Sequence, residues 1–195
     1  AERNFHMLYT ALRALVASNP DVLAQLDAIR EGFDKAMDEA MEKMWAAKLG
    51  LESYNEPLFR ELFILMVQTH VDYTIFFHEL SSLPEAITPL LKSFYGETPP
   101  DETLLQRWTE WLEKWKSLID AATPESREKL STQMKRVNPK YTLREWFLVP
   151  AYQQAENGDY TLIHELQEVM THPYEEQSRE IEEKNYDVDG VHGRY

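Results

Sequence analysis

Residues 101–119 read DETLLQRWTEWLEKWKSLI. Asp101 carries a side chain able to accept the free N–H groups of a first helical turn. Behind it Leu105, Trp108, Trp111, Leu112, Trp115 and Ile119 recur at steps of three and four, which gathers them largely on one side of an α-helix. An aromatic stripe of that size needs a surface to lie against. Packing on a neighbouring helix is the bland explanation. The alternative is a docking face made by Trp108, Trp111 and Trp115, because tryptophan is enriched where proteins meet.

The same periodicity runs outward in both directions. Upstream, Leu8, Leu12, Leu15 and Val16 form a stripe that Asn19-Pro20-Asp21 interrupts. A long helix then carries Phe33, Met37, Met41, Met44 and Trp45 as far as about Leu49, with Gly50 as its stop. Leu58, Phe59, Leu62, Phe63, Met66 and Val67 cover nearly two faces of a third helix, which is expected to be the most buried element. Val71 to Leu83 reads as another helix ended by Pro84, and Glu85 to Tyr95 as a shorter one. Downstream, Thr123-Pro124 has the form of a cap with proline at the first helical position. A short helix to about Arg136 follows, then a turn at Asn138-Pro139 and helices at 142–156 and 161–171, the first holding Pro150, which should kink it or mark its start. The expectation is an all-α fold, an irregular array of about eight or nine helices. It places a helical domain over residues 1–174 and an acidic, extended tail over 175–195.

Composition agrees. The chain is 43% hydrophobic and 12% aromatic, which excludes wholesale disorder, and six glycines in 195 residues are too few for a turn-rich sandwich or barrel. A net charge of −14 repels phosphate backbones, so nucleic acid and anionic membrane are excluded as partners. The longest apolar run, Leu62 to Val67, is far short of the roughly 20 residues that span a bilayer. Without cysteine there is no thiolate nucleophile or Cys-based zinc site.

Tests for catalytic motifs come back negative. A carboxylate-bridged di-metal bundle needs Glu-x-x-His on two helices, yet Arg3, Val67, Ile75, Thr161, Val169 and Asp189 precede the histidines by three. His78-Glu79 and His164-Glu165 begin the zincin pattern, but Ser82 and Glu168 stand where its second histidine belongs. No Gly-x-Gly offers a phosphate cradle. The residues therefore predict no catalytic, cofactor-binding or metal site in this chain.

Five stretches are too particular for generic packing. They are Lys48-Leu49-Gly50-Leu51, Asp72-Tyr73-Thr74, Asn138-Pro139-Lys140-Tyr141-Thr142-Leu143-Arg144, Ala155-Glu156-Asn157-Gly158-Asp159-Tyr160 and Pro173-Tyr174-Glu175-Glu176-Gln177. Asp72 and Arg144 suit a buried charge couple that ties helices together. In this order and at these gaps the stretches resemble the selenoprotein O family, over about Met44 to Gln177.

The resemblance implies the C-terminal helical region of a pseudokinase-like protein adenylyltransferase, which moves AMP from ATP to protein hydroxyls with Mg²⁺. It implies that the nucleotide- and metal-binding residues belong to a kinase-like domain of the same chain, that this domain and protein substrates are the partners, and that the location is mitochondrial in a eukaryote or cytoplasmic in a bacterium. The residues quoted above would then be structural. Two departures stand out. Ile75-Phe76-Phe77-His78 replaces the usual Asn-Thr-Phe-Arg, and the C-terminal pair of Cys or selenocysteine that many members carry is missing from these residues.

Overall fold

The structure is a computed structural model that describes residues 1–95, 100–119 and 121–177. Among them are eight α-helices and one 3-10 helix, with no sheet beyond a single bridge between Val71 and Phe94. The all-α expectation is met. The tail beyond residue 177 lies outside the described residues.

Helix α1 (Glu2–Val16) and helix α2 (Pro20–Lys48) meet at a turn in which Asn19 donates its N–H to Val16 O and accepts from Val22 N. Residues Ala1–Trp45 form one compact unit, an antiparallel helical hairpin. Phe5 stacks on Phe33 with ring centroids 4.0 Å apart, and the Tyr9 hydroxyl donates to Asp27 over 2.7 Å. No side chain in this unit is buried.

The second unit begins at Ala46. It holds the last turn of α2, then α3 (Glu56–Thr69), α4 (Tyr73–Leu80), a 3-10 helix (Thr88–Ser93), α5 (Glu102–Leu118), α6 (Pro124–Lys135), α7 (Glu145–Glu156) and α8 (Thr161–Thr171). Side-chain caps start several of these helices. Asn55 accepts from Leu58 N, Asp101 from Leu104 N, and Thr123 and Ser126 make a reciprocal capping box. Helices α3 and α5 pack antiparallel, with Arg107 opposite Gln68 and Lys114 opposite Glu61.

The core is built on α5. Trp108, Trp111 and Trp115 are fully buried, together with Phe76, Leu62, Leu65, Leu80, Leu90 and Met134. Trp111 and Trp115 stack with rings nearly parallel, and their indole N–H groups donate to Leu58 O and Leu49 O. A smaller cluster joins α7 to α8 through Tyr141, Ala151, Leu166 and Val169.

Four sequence expectations need correction. Helix α3 is not the most buried element, since Phe63 is 58% and Val67 60% exposed while α5 buries all three tryptophans. Its 58–67 run is apolar on two faces, but only one of them meets α5. The segment from Glu85 to Tyr95 forms a six-residue 3-10 helix instead of an α-helix, because Pro89 would fall inside a helix begun at Glu85, where it has no N–H for the Glu85 carbonyl and its ring clashes with it. The helix expected from residue 142 begins at Glu145 and runs through Pro150 without a break. The helix from Val71 is likewise trimmed at both ends, with Asp72 as its cap.

Gly50 is where the long helix must stop. Its φ is +66°, and a Cβ there would come within 2.6 Å of the Met134 sulfur. Gly158 has φ +84° but open space around it. Gly50→Ala should therefore cost about 2–4 kcal/mol from strain plus overpacking, and Gly158→Ala only about 1 kcal/mol from the backbone. Urea unfolding of the two variants separates them; equal losses would contradict the close approach at Gly50.

Candidate functional site

The five family-like stretches are far apart in sequence, yet four of them converge around α4. At its N-terminus Asp72 is 3% exposed and has an extended backbone, and its carboxylate accepts from Ile75 N over 3.0 Å as the helix cap. The same carboxylate takes both terminal nitrogens of Arg144, Nη2 to Oδ1 over 2.7 Å and Nη1 to Oδ2. It also receives the Tyr95 hydroxyl. Tyr95 is fixed in turn by its N–H to His70 O, while the Asp72 N–H donates to Ser93 O. Arg144 occupies the N-cap position of α7 and lies 5.0 Å over the Trp146 ring.

This planar, two-pronged pair is the strong form of a charge-assisted hydrogen bond. Burial by itself would push the Asp72 carboxyl up, but the bonds from Arg144, Ile75 and Tyr95 outweigh it and hold it below the usual carboxylate range. Burial also opposes the Arg144 charge, and Asp72 more than restores it. The Tyr95 phenol is pushed up to about 12, first by burial and then by donating to Asp72. The buried couple suggested by the sequence is present. The capping role of Asp72 was missed, although an Asp immediately before Tyr73-Thr74-Ile75-Phe76 is a recognisable helix-start signal.

At the end of α2, Lys48 is buried too. Its Nζ donates to Asn138 Oδ1 over 3.1 Å and to Val137 O over 3.3 Å, and sits 5.1 and 5.2 Å over the rings of Tyr73 and Phe77. Asn138, wholly buried, returns its two amide hydrogens to Lys48 O and Ser81 Oγ. Every polar atom of the Asn138 side chain is thus satisfied, which a buried amide requires. Burial lowers the affinity of Lys48 for its proton and pushes the Tyr73 phenol up to about 12.

The turn after Asn138 is strapped by the chain's later residues. Lys140 N and Tyr141 N both donate to Pro173 O, Gln177 N donates to the Tyr141 hydroxyl, and the Lys140 ammonium pairs with Glu176. Glu176 also lies 3.9 Å from Nε2 of His78. His78 is mostly buried, and its Nδ1 has no hydrogen-bond partner among the described residues. Burial lowers its pKa, against the pull of Glu79 and Glu176 and with a small push from Lys140.

The unfolded imidazole takes up its proton near pH 6.5 and the folded one at lower pH. The contribution is complete above pH 6.5 and is lost as pH falls toward the folded value, by at most about 1.4 kcal/mol per unit. Between pH 7.5 and 5.5 the wild-type chain should lose more thermal stability than His78→Gln. Equal losses would show that the imidazole is no acid-labile element.

Leu49 is buried and supplies the carbonyl for Trp115; Thr74 lies in the first turn of α4; Tyr174 is 46% exposed. Gly158 and Asp159 make the turn between α7 and α8, where Asp159 accepts from Thr161 N, and do not join the cluster. Trp108, Trp111 and Trp115 expose nothing to a partner, so the docking alternative is corrected: the stripe is core. Among the described residues no group of three or more His, Cys, Asp or Glu could hold a metal, and no helix is long and apolar enough to cross a membrane.

A family described as "Protein adenylyltransferase SelO" matches residues 1–171. The protein nucleotidyltransferase YdiU of Aromatoleum aromaticum is 32% identical over 182 residues, covering 88% of this chain and 34% of the relative. YdiU of Vibrio parahaemolyticus is 32% identical over 150 residues, covering 74% and 30%, and that of Methylobacillus flagellatus 34% over 163, covering 76% and 31%. The chain thus spans about a third of the length of these relatives.

Proposed function

The chain belongs to the SelO family of protein adenylyltransferases, and on that premise we propose that it is the C-terminal helical region of a longer, pseudokinase-like enzyme that transfers AMP from ATP to hydroxyl groups of proteins. In this reading ATP and Mg²⁺ are held by a kinase-like domain in the remainder of the polypeptide, and the protein substrates meet the full-length enzyme. The helices described here brace that domain and do no chemistry of their own.

One observation carries the reading. The buried charged and polar side chains that the family-like stretches bring to α4 are spent within the cluster. Arg144 uses both terminal nitrogens on Asp72, and Lys48 and Asn138 close a reciprocal pair. A nucleotide-binding lysine or a metal-binding asparagine must instead turn its polar atoms toward a ligand. Buried networks satisfied from within fix the geometry of the elements that they join. Here they pin the end of α2, both ends of α4, the turn after α6 and the start of α7 into one frame.

Incubation with ATP labelled in the α-phosphate and magnesium tests this. Label should pass to protein with the full-length polypeptide and not with residues 1–195 alone. Transfer by the 195-residue chain would move the chemistry into these helices, and a full-length protein that transfers nothing would overturn the activity.

A further inference from the structure

In the Ala1–Trp45 unit the apolar surface exceeds what two helices can cover between them. Successive residues of a helix turn by about 100°. On α1, Phe5 and Tyr9 point at α2, as their contacts with Phe33 and Asp27 show. Leu8 and Leu15 lie roughly a quarter-turn to one side, while Met7 falls about half a turn from α2, on the outer face. On α2, Val22 and Ile29 are displaced about a quarter-turn from the row that faces α1. Because the helices run antiparallel, both displacements fall on the same flank of the hairpin. The four flank side chains are 55% (Leu8), 79% (Leu15), 39% (Val22) and 60% (Ile29) exposed.

No Asp, Glu, Lys or Arg interrupts this flank between Leu8 and Leu15 or between Val22 and Ile29 on its helical rows, in a chain whose net charge is −14. Two helices with no buried side chain do not make a stable layer, since each apolar stripe must be covered by another element. Large uncharged faces are typical of permanent interfaces rather than of surfaces that open to solvent.

We propose that this flank is the seat of the polypeptide lying outside these residues in the full-length protein. The occupant is argued from length: the YdiU relatives are covered to only 34%, 30% and 31%, so a chain of their size has about two thirds of itself elsewhere. The proposal rests on reading the chain as part of a longer adenylyltransferase.

Leu15→Met sets a probe on the flank, because sulfoxide formation follows exposure. Peroxide oxidation at position 15, followed by mass spectrometry, is compared between this variant of the full-length polypeptide and of residues 1–195. The full-length protein should oxidise there at least about tenfold more slowly, and adding Leu8→Glu with Ile29→Glu should restore the fast rate. Equal rates at position 15 in the two lengths would overturn the proposal whatever the glutamates do. So would a 195-residue chain that elutes as a dimer and shields position 15 as its concentration rises, which would assign the flank to a second copy. Nucleotide transfer measured on the same full-length sample separates the two readings. Transfer with position 15 fully reactive overturns the seat alone; position 15 shielded without transfer overturns the activity alone.

Discussion

Arg144→Ala should lower the unfolding free energy by about 3–5 kcal/mol, because it strands a carboxylate that is nine-tenths or more buried. Asp72 is 3% exposed, and the guanidinium supplies two of its hydrogen bonds along with its countercharge. The Ile75 N–H and the Tyr95 hydroxyl remain as donors, but neither carries charge. Arg144→Lys keeps the charge without the fork and should recover less than half of the loss. Asp72→Asn combined with Arg144→Ala should cost clearly less than the two changes summed. The contribution of the couple is also acid-sensitive. The folded carboxyl titrates below its usual 3.8, so the stability is present above that value and disappears as pH falls through the folded one. Wild type and Arg144→Ala should converge in strong acid. Urea midpoints at constant m-value read the effect; a loss below about 1 kcal/mol would mark the pair as an ordinary solvated contact.

The second large effect belongs to the core. Trp115→Ala should cost about 3–5 kcal/mol through the cavity that it leaves. Trp115→Phe isolates the hydrogen bond. It keeps an aromatic ring but orphans Leu49 O, which now receives the indole N–H over 2.7 Å, so about 1–3 kcal/mol should be lost. Trp108 supplies the control. Its indole nitrogen is buried without a hydrogen-bond partner among the described residues. Trp108→Phe gives up volume but no such bond, and should be the milder of the two phenylalanine changes. If Trp108→Phe proved as costly as Trp115→Phe, the indole-to-carbonyl bond would not be what anchors α5 to the end of α2.

How far the sequence reveals this arrangement differs from element to element. Helix α5 is legible as an element, because its cap Asp101 and its stripe derive from local spacing, whereas spacing leaves open whether that stripe is core or docking face, which the fold decides. The stops at Gly50 and Gly158 are legible because a positive φ favours glycine. The burial of α3 was not, since apolarity on two faces does not say which face meets a neighbour; Phe63 and Val67 face outward. The 3-10 segment at Thr88–Ser93 was misread because apolar spacing hides the cost of Pro89.

At the candidate site the Asp72–Arg144 couple could be anticipated from two charged residues inside family-like stretches. The Lys48–Asn138 exchange could not, as it joins residues 90 positions apart whose geometry only the fold creates. Tyr95 and Ser81 lie outside those stretches and carry no sequence signal for their part in the networks.

The buried polar groups around α4 are occupied within their own networks and leave nothing there to grip a nucleotide. Calorimetric titration of residues 1–195 with Mg-ATP addresses it most directly. The expected trace shows heats of dilution only, into the millimolar range. A one-site isotherm that Lys48→Met or Asn138→Ala abolishes, in variants shown to remain folded, would contradict it.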